Sequence, residues 1–172
     1  AYGISEGGMR VPLLARWPGQ IPAGIVCGEL VTLMDLYPTL ARLAGASLPA
    51  DRVIDGKNIG PLLFGKPNAK SPREAFYYYH VNELRAVRSG PWKLYLPTKS
   101  DGTSRLYNLK KDLKETENLV DERPDVVARL KGLLQKARRD LGEKGRQGGP
   151  HVRPVGTVDD PVPQVQPDRQ GE

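Results

Sequence analysis

Apolar positions are unevenly spread along the 172-residue chain, and their spacing changes character three times. From Val11 to Trp17 they form a short run broken by Arg16 and closed by Pro18-Gly19, which reads as a buried strand ending in a turn. Pro22-Ala23-Gly24 makes a loop, and Glu29 to Leu33 is a second short β-like run. The period then lengthens: Leu36, Leu40 and Leu43 recur at helical intervals. Asp35 is placed to accept a first-turn N–H of that helix, Pro38 is tolerated in the first turn, and Gly45 supplies the stop. Strand, loop, strand, helix is an α/β order.

Residues 46–74 are rich in Pro, Gly, Asp and Lys, with Ile59 to Phe64 the one apolar stretch. They read as a connecting segment, with a domain boundary near Lys66 to Pro72. Four strand-like runs follow. They are Glu74 to His80 with its aromatic run, Leu84 to Ser89, Trp92 to Leu96 and Arg105 to Leu109. Gly90-Pro91 has the chemistry of a tight hairpin turn, and Pro97 to Ser104 is a polar loop. Pro124 suits a first helical turn and Asp125 complements the helix dipole. Val127, Leu130, Leu134, Ala137 and Leu141 then form one stripe, while Arg129, Lys131, Lys136 and Arg139 face elsewhere. The sequence thus predicts an α/β segment over 1–66 and a small α+β unit over 67–142, a four-stranded antiparallel sheet crossed by one long helix. Residues 143–172, nearly devoid of large apolar side chains, form an extended or disordered tail.

Charge narrows the function classes only a little. The net charge of +6 suggests an anionic partner, but Lys and Arg are interleaved with acids throughout. The aromatics sit in one run instead of alternating with Lys and Arg, so nucleic acid is excluded as the expected partner. A single cysteine, Cys27, excludes an internal disulfide and a cysteine metal cluster, and reads as a small buried structural residue. No apolar run approaches the roughly 18 residues of a bilayer span, and an export signal would have to lie upstream of Ala1.

The candidate chemistry begins at Ser5-Glu6-Gly7-Gly8-Met9-Arg10-Val11-Pro12. Adjacent glycines give access to positive φ and close approach, so the stretch reads as a bend or the floor of a site. Glu6 and Arg10 flank it within pairing reach and are candidate binding residues, with a structural pair fixing the bend as the plainer reading. His80 ends the aromatic strand and could hydrogen-bond a ligand, or simply face water at the sheet edge. Arg85 and Arg88 could attract an anionic polymer or pack their stems on the sheet. His151, in the tail, has no supporting context.

Four elements in order resemble the later half of type I sulfatases, the arylsulfatase family. Glu6-Gly7-Gly8-Met9-Arg10-Val11-Pro12 is followed by Arg16-Trp17-Pro18-Gly19, and Asp35-Leu36-Tyr37-Pro38-Thr39-Leu40 by Leu43-Ala44-Gly45. Leu84-Arg85-Ala86-Val87-Arg88 precedes Gly90-Pro91-Trp92-Lys93-Leu94, and Leu106-Tyr107-Asn108-Leu109 precedes Asp112, Glu115, Asn118 and Leu119. The likeness runs over about residues 5 to 141 and is nearest the arylsulfatase A and N-acetylgalactosamine-6-sulfatase branch.

That resemblance implies a C-terminal fragment: the end of an alkaline-phosphatase-like α/β domain, then the small domain. It implies sulfate-ester hydrolysis by a formylglycine nucleophile beside calcium, both upstream of this chain. The implied substrate is a sulfated small molecule or sulfated carbohydrate, and the implied location periplasmic or extracellular. Cys27 is followed by Gly28-Glu29-Leu30-Val31 and so lacks the C/S-x-P/A-x-R pattern of the formylglycine site. The family's catalytic lysine would fall near Ala1, so no catalytic residue and no metal ligand is assigned here. His80, Arg10 and Glu6 are the residues implied to border the substrate. Two rival readings stay open: a non-catalytic module that binds sulfated or acidic glycans, and a phosphodiesterase of the alkaline-phosphatase superfamily. Oligomeric state is left open.

Overall fold

A computed structural model describes residues 3–98 and 102–142. Ala1, the middle of the Pro97 to Ser104 loop, and the tail with His151 lie outside the described residues. The centre of the fold is an antiparallel meander, β1 Phe76–His80, β2 Glu83–Ser89, β3 Trp92–Tyr95 and β4 Arg105–Asn108, in spatial order β1-β2-β3-β4. Ser89 pairs directly with Trp92 across the Gly90-Pro91 turn. Gly90 takes the φ of +56° that such a two-residue turn demands. Helix α4, Pro124–Leu141, crosses one face.

Alternation along the strands divides the sheet into two unlike faces. Leu84, Val87, Leu94 and Leu106 meet Val126, Val127, Leu130, Leu133, Leu134 and Ala137 of α4 in the main core. Fully burying a leucine such as Leu130 or Leu134 contributes about 1.5–3 kcal/mol before entropy is counted. The buried stripe is broader than the sequence pattern suggests, gaining Val126 and Leu133, while Leu141 stays exposed. A helix lying on a sheet is covered over more than a single row of side chains. The second face carries Tyr78, Ala86, Tyr95, Tyr107 and Leu109, with Ile4 and Phe76 against them.

The register of β1 on β2 slips between Tyr78 and Tyr79: Tyr78 faces Ala86, but Tyr79 faces Leu84. Arg85 is therefore the extra residue of a β-bulge. Such a bulge re-aims the inserted side chain. Leu84 returns to the helix face, whereas Arg85 joins Ala86 on the other.

The first third of the chain corrects several expectations. Val11 to Trp17 and Glu29 to Leu33 form no strand. Leu14 and Val26 are 94% and 96% exposed, and Cys27 is exposed as well, not buried. A run becomes a strand only where a neighbouring strand pairs with its backbone, and none of the described residues offers one to these two. Gly7-Gly8 is not a positive-φ bend but lies in a single helical turn, α1 Glu6–Met9. Helix α2, Leu36–Leu43, forms where expected. Its buried face, however, is Pro38 and Thr39, and Leu40 and Leu43 are exposed.

Asp35 does not cap α2 with its side chain. Its fully buried carboxylate instead accepts Thr32 N–H at 2.7 Å, Thr32 Oγ1 at 3.0 Å, Lys57 N–H at 2.7 Å and Arg73 Nε at 3.1 Å, with Arg73 Nη2 closing the pair. Burial by itself would raise this carboxyl, but the bonds from Arg73, Lys57 and Thr32 outweigh it and hold it below its ordinary 3.8. Thr39 Oγ1 accepts Ile59 N–H at 2.9 Å and so fixes the turn before α3, Gly60–Leu63. Gly56 passes so close to this knot that a Cβ there would lie 2.0 Å from Met34 O.

Candidate functional site: a cationic face of the sheet

On the face away from α4, Lys93 and Tyr95 of β3 alternate with Leu94, and Arg105 and Tyr107 of β4 with Leu106. Lys93 is 0% exposed. Its Nζ donates to Ile4 O at 2.7 Å, Glu6 Oε1 at 2.9 Å and Glu115 Oε1 at 3.0 Å. It also lies 4.3 Å from the ring centre of Tyr78 and 4.9 Å from that of Tyr95. All three ammonium donors are thus used, and the flanking rings add cation–π attraction.

Glu6, 2% exposed, is equally saturated. Oε1 accepts from Lys93 and from Tyr78 Oη at 3.1 Å; Oε2 accepts from Arg10 Nε at 2.7 Å and Arg88 Nη1 at 3.2 Å. Burial pushes its carboxyl up, yet the bonds from Lys93 and Arg10 prevail and hold it below its ordinary 4.5. Glu115 completes the cluster from the loop after β4. Oε1 also accepts Tyr95 Oη at 2.7 Å, and Oε2 accepts Glu6 N–H at 3.0 Å. Burial, then the carboxylate beside each, raises both Tyr78 and Tyr95, so both phenols remain protonated donors. Glu115 adopts a φ of +58°, the left-handed region that costs a glutamate about 1–3 kcal/mol. Three hydrogen bonds to its carboxylate hold it there.

This cluster seats residues 4–6 on the sheet and leaves a cavity of about 420 Å³ beside them. His80, Arg85, Arg105 and Lys114 converge on it, with the hydroxyl-bearing rings of Tyr95 and Tyr107 and a rim formed by residues 3–5. Arg105 stacks over Tyr95 at 5.2 Å. The bulge in β2 explains why Arg85, which regular alternation would have sent to the helix side, points here.

The sequence candidates separate accordingly. His80 lines the cavity. Glu6 and Arg10 do form the expected pair, but Glu6 has all four acceptor positions filled and lines no part of the cavity. Arg88 is joined to Glu6 and to Gly90 O. Lys93 and Glu115 stood out in the sequence only as positions of the resembling motifs, and Arg105 and Lys114 not as site candidates, although the i, i+2 spacing of Lys93 with Tyr95 and Arg105 with Tyr107 is a visible sign of a polar sheet face. Among the described residues, no group of three His, Cys, Asp or Glu side chains could hold a metal ion.

Residues 3–140 match the family described as N-sulphoglucosamine sulphohydrolase, C-terminal, so the match covers most of the chain, from the rim of the cavity to the end of α4. The chain belongs to this sulfatase family. Steryl-sulfatase of Mus musculus is 49% identical over 94 residues, covering 52% of this chain and 15% of its own length. Human (Homo sapiens) arylsulfatase A is 39% identical over 165 residues, covering 78% of this chain and 32% of its own. A solved protein described with the metabolism of multiple glycosaminoglycans by Bacteroides thetaiotaomicron superposes with a TM-score of 0.51 at 28% identity, over 60% of this chain and 24% of that one. The chain therefore spans a third or less of these relatives. The sulfatase C-terminal family accounts for the four-stranded sheet and its helix; no helix among the described residues is long and apolar enough to cross a membrane.

Proposed function

We propose that this chain is the C-terminal part of a sulfuric-ester hydrolase that acts on sulfated sugars, and that its cationic sheet face borders the substrate. The observation that carries the reading is the convergence of His80, Arg85, Arg105 and Lys114 on one cavity in a chain of the sulfatase family. In this reading the formylglycine nucleophile, and a calcium ion that would offset sulfate charge, would be held by residues outside this chain. The described residues themselves offer no such metal site. What this chain contributes is binding: His80 hydrogen-bonds a sugar group, and the fixed cations attract the anion with field lines focused by the cavity walls. The buried Glu6–Lys93–Glu115 cluster holds the rim in place.

In the complete enzyme, His80→Ala should raise KM for a sulfated sugar about 2- to 10-fold, the worth of one hydrogen bond. Turnover of a small aryl sulfate should stay near its original rate, the pattern of lost uniform binding. Loss of aryl sulfate turnover with KM and fold intact would place His80 among the reacting groups. The 172-residue chain alone should release no sulfate from an aryl sulfate, with or without calcium, and release abolished by Cys27→Ala would overturn the reading.

A further inference from the structure

We propose that Lys93 is a positioning residue: a buried ammonium that touches no substrate, yet sets how tightly and how selectively a sugar is held, because it fixes the rim formed by residues 3–5. The inference rests on the hydrolase reading above, in which that rim borders the substrate.

Lys93 forms no part of the cavity wall, whereas Gly3, Ile4 and Ser5 do. Two of its three ammonium donors nevertheless go to the segment that carries this rim, Ile4 O and Glu6 Oε1. The third goes to Glu115, whose other oxygen accepts Glu6 N–H, so the segment is tied to the sheet a second time through the same lysine. Backbone bonds of the segment are spent inside the single turn of α1: Gly8 and Met9 N–H donate to Ser5 O, and Arg10 N–H donates to Glu6 O. A turn of four residues does not hold its own place. Ile4 packs on the apolar patch of the sheet, but hydrophobic contact is non-directional and fixes no register. An ammonium with every donor used admits one arrangement, and that arrangement sets where the rim lies. The corner at Glu115 is held independently, because Asp112 accepts Thr116 N–H at 2.7 Å, Glu117 N–H at 2.9 Å and Thr116 Oγ1 at 3.1 Å. The ties to residues 4 and 6 can therefore be cut while that loop keeps its shape.

The test uses the complete enzyme and two variants. Lys93→Met deletes the ammonium, and Glu115→Gln replaces one carboxylate oxygen by an amide nitrogen that cannot accept. Hydrogen exchange over residues 3–9 reports release of the segment, and exchange in β2 and α4 reports whether sheet and helix stay folded. Equilibrium binding of glucosamine 6-sulfate, N-sulfoglucosamine and galactose 6-sulfate is measured, with sulfate release from each and from a small aryl sulfate followed in the same samples. Each variant should speed exchange over residues 3–9 and leave β2 and α4 protected. The sugar that the parent binds tightest should weaken by about tenfold more than kcat/KM for the aryl sulfate falls, since a misplacement of about 1 Å remote from the chemistry is costly to a substrate that touches it. A lysine that serves the fold alone would lower sugar and aryl sulfate in equal proportion, and that result would overturn the proposal. So would faster exchange over residues 3–9 with sugar binding unchanged, weakened binding with that exchange unchanged, or a parent that binds none of the three sugars. If Lys93→Met does not fold, Glu115→Gln decides alone. Weakened sugar binding in variants of a parent that releases no sulfate would sink the hydrolase reading and leave the positioning role standing. Sulfate release with sugar binding unaltered in the variants would do the reverse.

Discussion

Lys93→Met isolates the charge balance of the buried cluster, because methionine keeps most of the apolar stem between Tyr78 and Tyr95 while deleting the ammonium. Glu6 would still hold Arg10, Arg88 and Tyr78. Glu115 would keep Tyr95 Oη and Glu6 N–H but lose its cation, and Ile4 O would lose its donor. Breaking a buried ion pair by removing one partner costs about 3–5 kcal/mol. The surviving arginines on Glu6 place most of that cost on Glu115. Urea unfolding of the 172-residue chain at pH 7 should therefore show a loss of about 3–5 kcal/mol. The sign of the pH dependence follows from the carboxyls. In the parent, Glu6 is held below 4.5, so its contribution is complete above that value and is lost as pH falls through the lower folded value. In the variant the cost is that of a buried charge without its cation, and that cost is relieved as acid removes the charge. The gap between parent and variant should thus narrow from pH 7 to pH 4, and Glu115→Gln added to Lys93→Met should recover part of the loss at pH 7. A loss under about 1 kcal/mol, or a gap unchanged across that pH range, would refute the argument that these charges are buried and mutually dependent.

Other outcomes are equally direct. Leu130→Ala or Leu134→Ala should each cost about 2–5 kcal/mol, the range for a cavity in a packed core, whereas Lys131→Glu on the exposed side of α4 should cost well under 1 kcal/mol by denaturant midpoint. Gly56→Ala should destabilise by about 1–3 kcal/mol, since the added Cβ meets Met34 O and Pro38 Cδ and the knot around Asp35 must open. Asp35→Asn should lower stability at pH 7 by about 3 kcal/mol and also flatten the acid limb of the stability profile. The parent's contribution, held below 3.8 by Arg73, Lys57 and Thr32, is present above that pH and lost below it.

The small unit was legible in the sequence because its signals are local. The aromatic run before His80, the Gly90-Pro91 turn, and the apolar stripe from Val127 to Ala137 each constrain their own few residues, and the sheet and helix stand where those patterns put them. The runs at Val11 and Glu29 have equally strand-like composition, yet a strand exists only where a neighbour accepts its backbone hydrogen bonds, and the described residues provide none. Pairing of Glu6 with Arg10 was readable from their spacing. That Glu6 also meets Lys93, Arg88 and Glu115, more than eighty positions away, was not, because which distant charges come together is set by how the N-terminal segment lies across the sheet. The cavity depends on tertiary structure most of all. One extra residue at Arg85 turns a side chain from one face of the sheet to the other, and residue-by-residue alternation carries no mark of which strand will bulge.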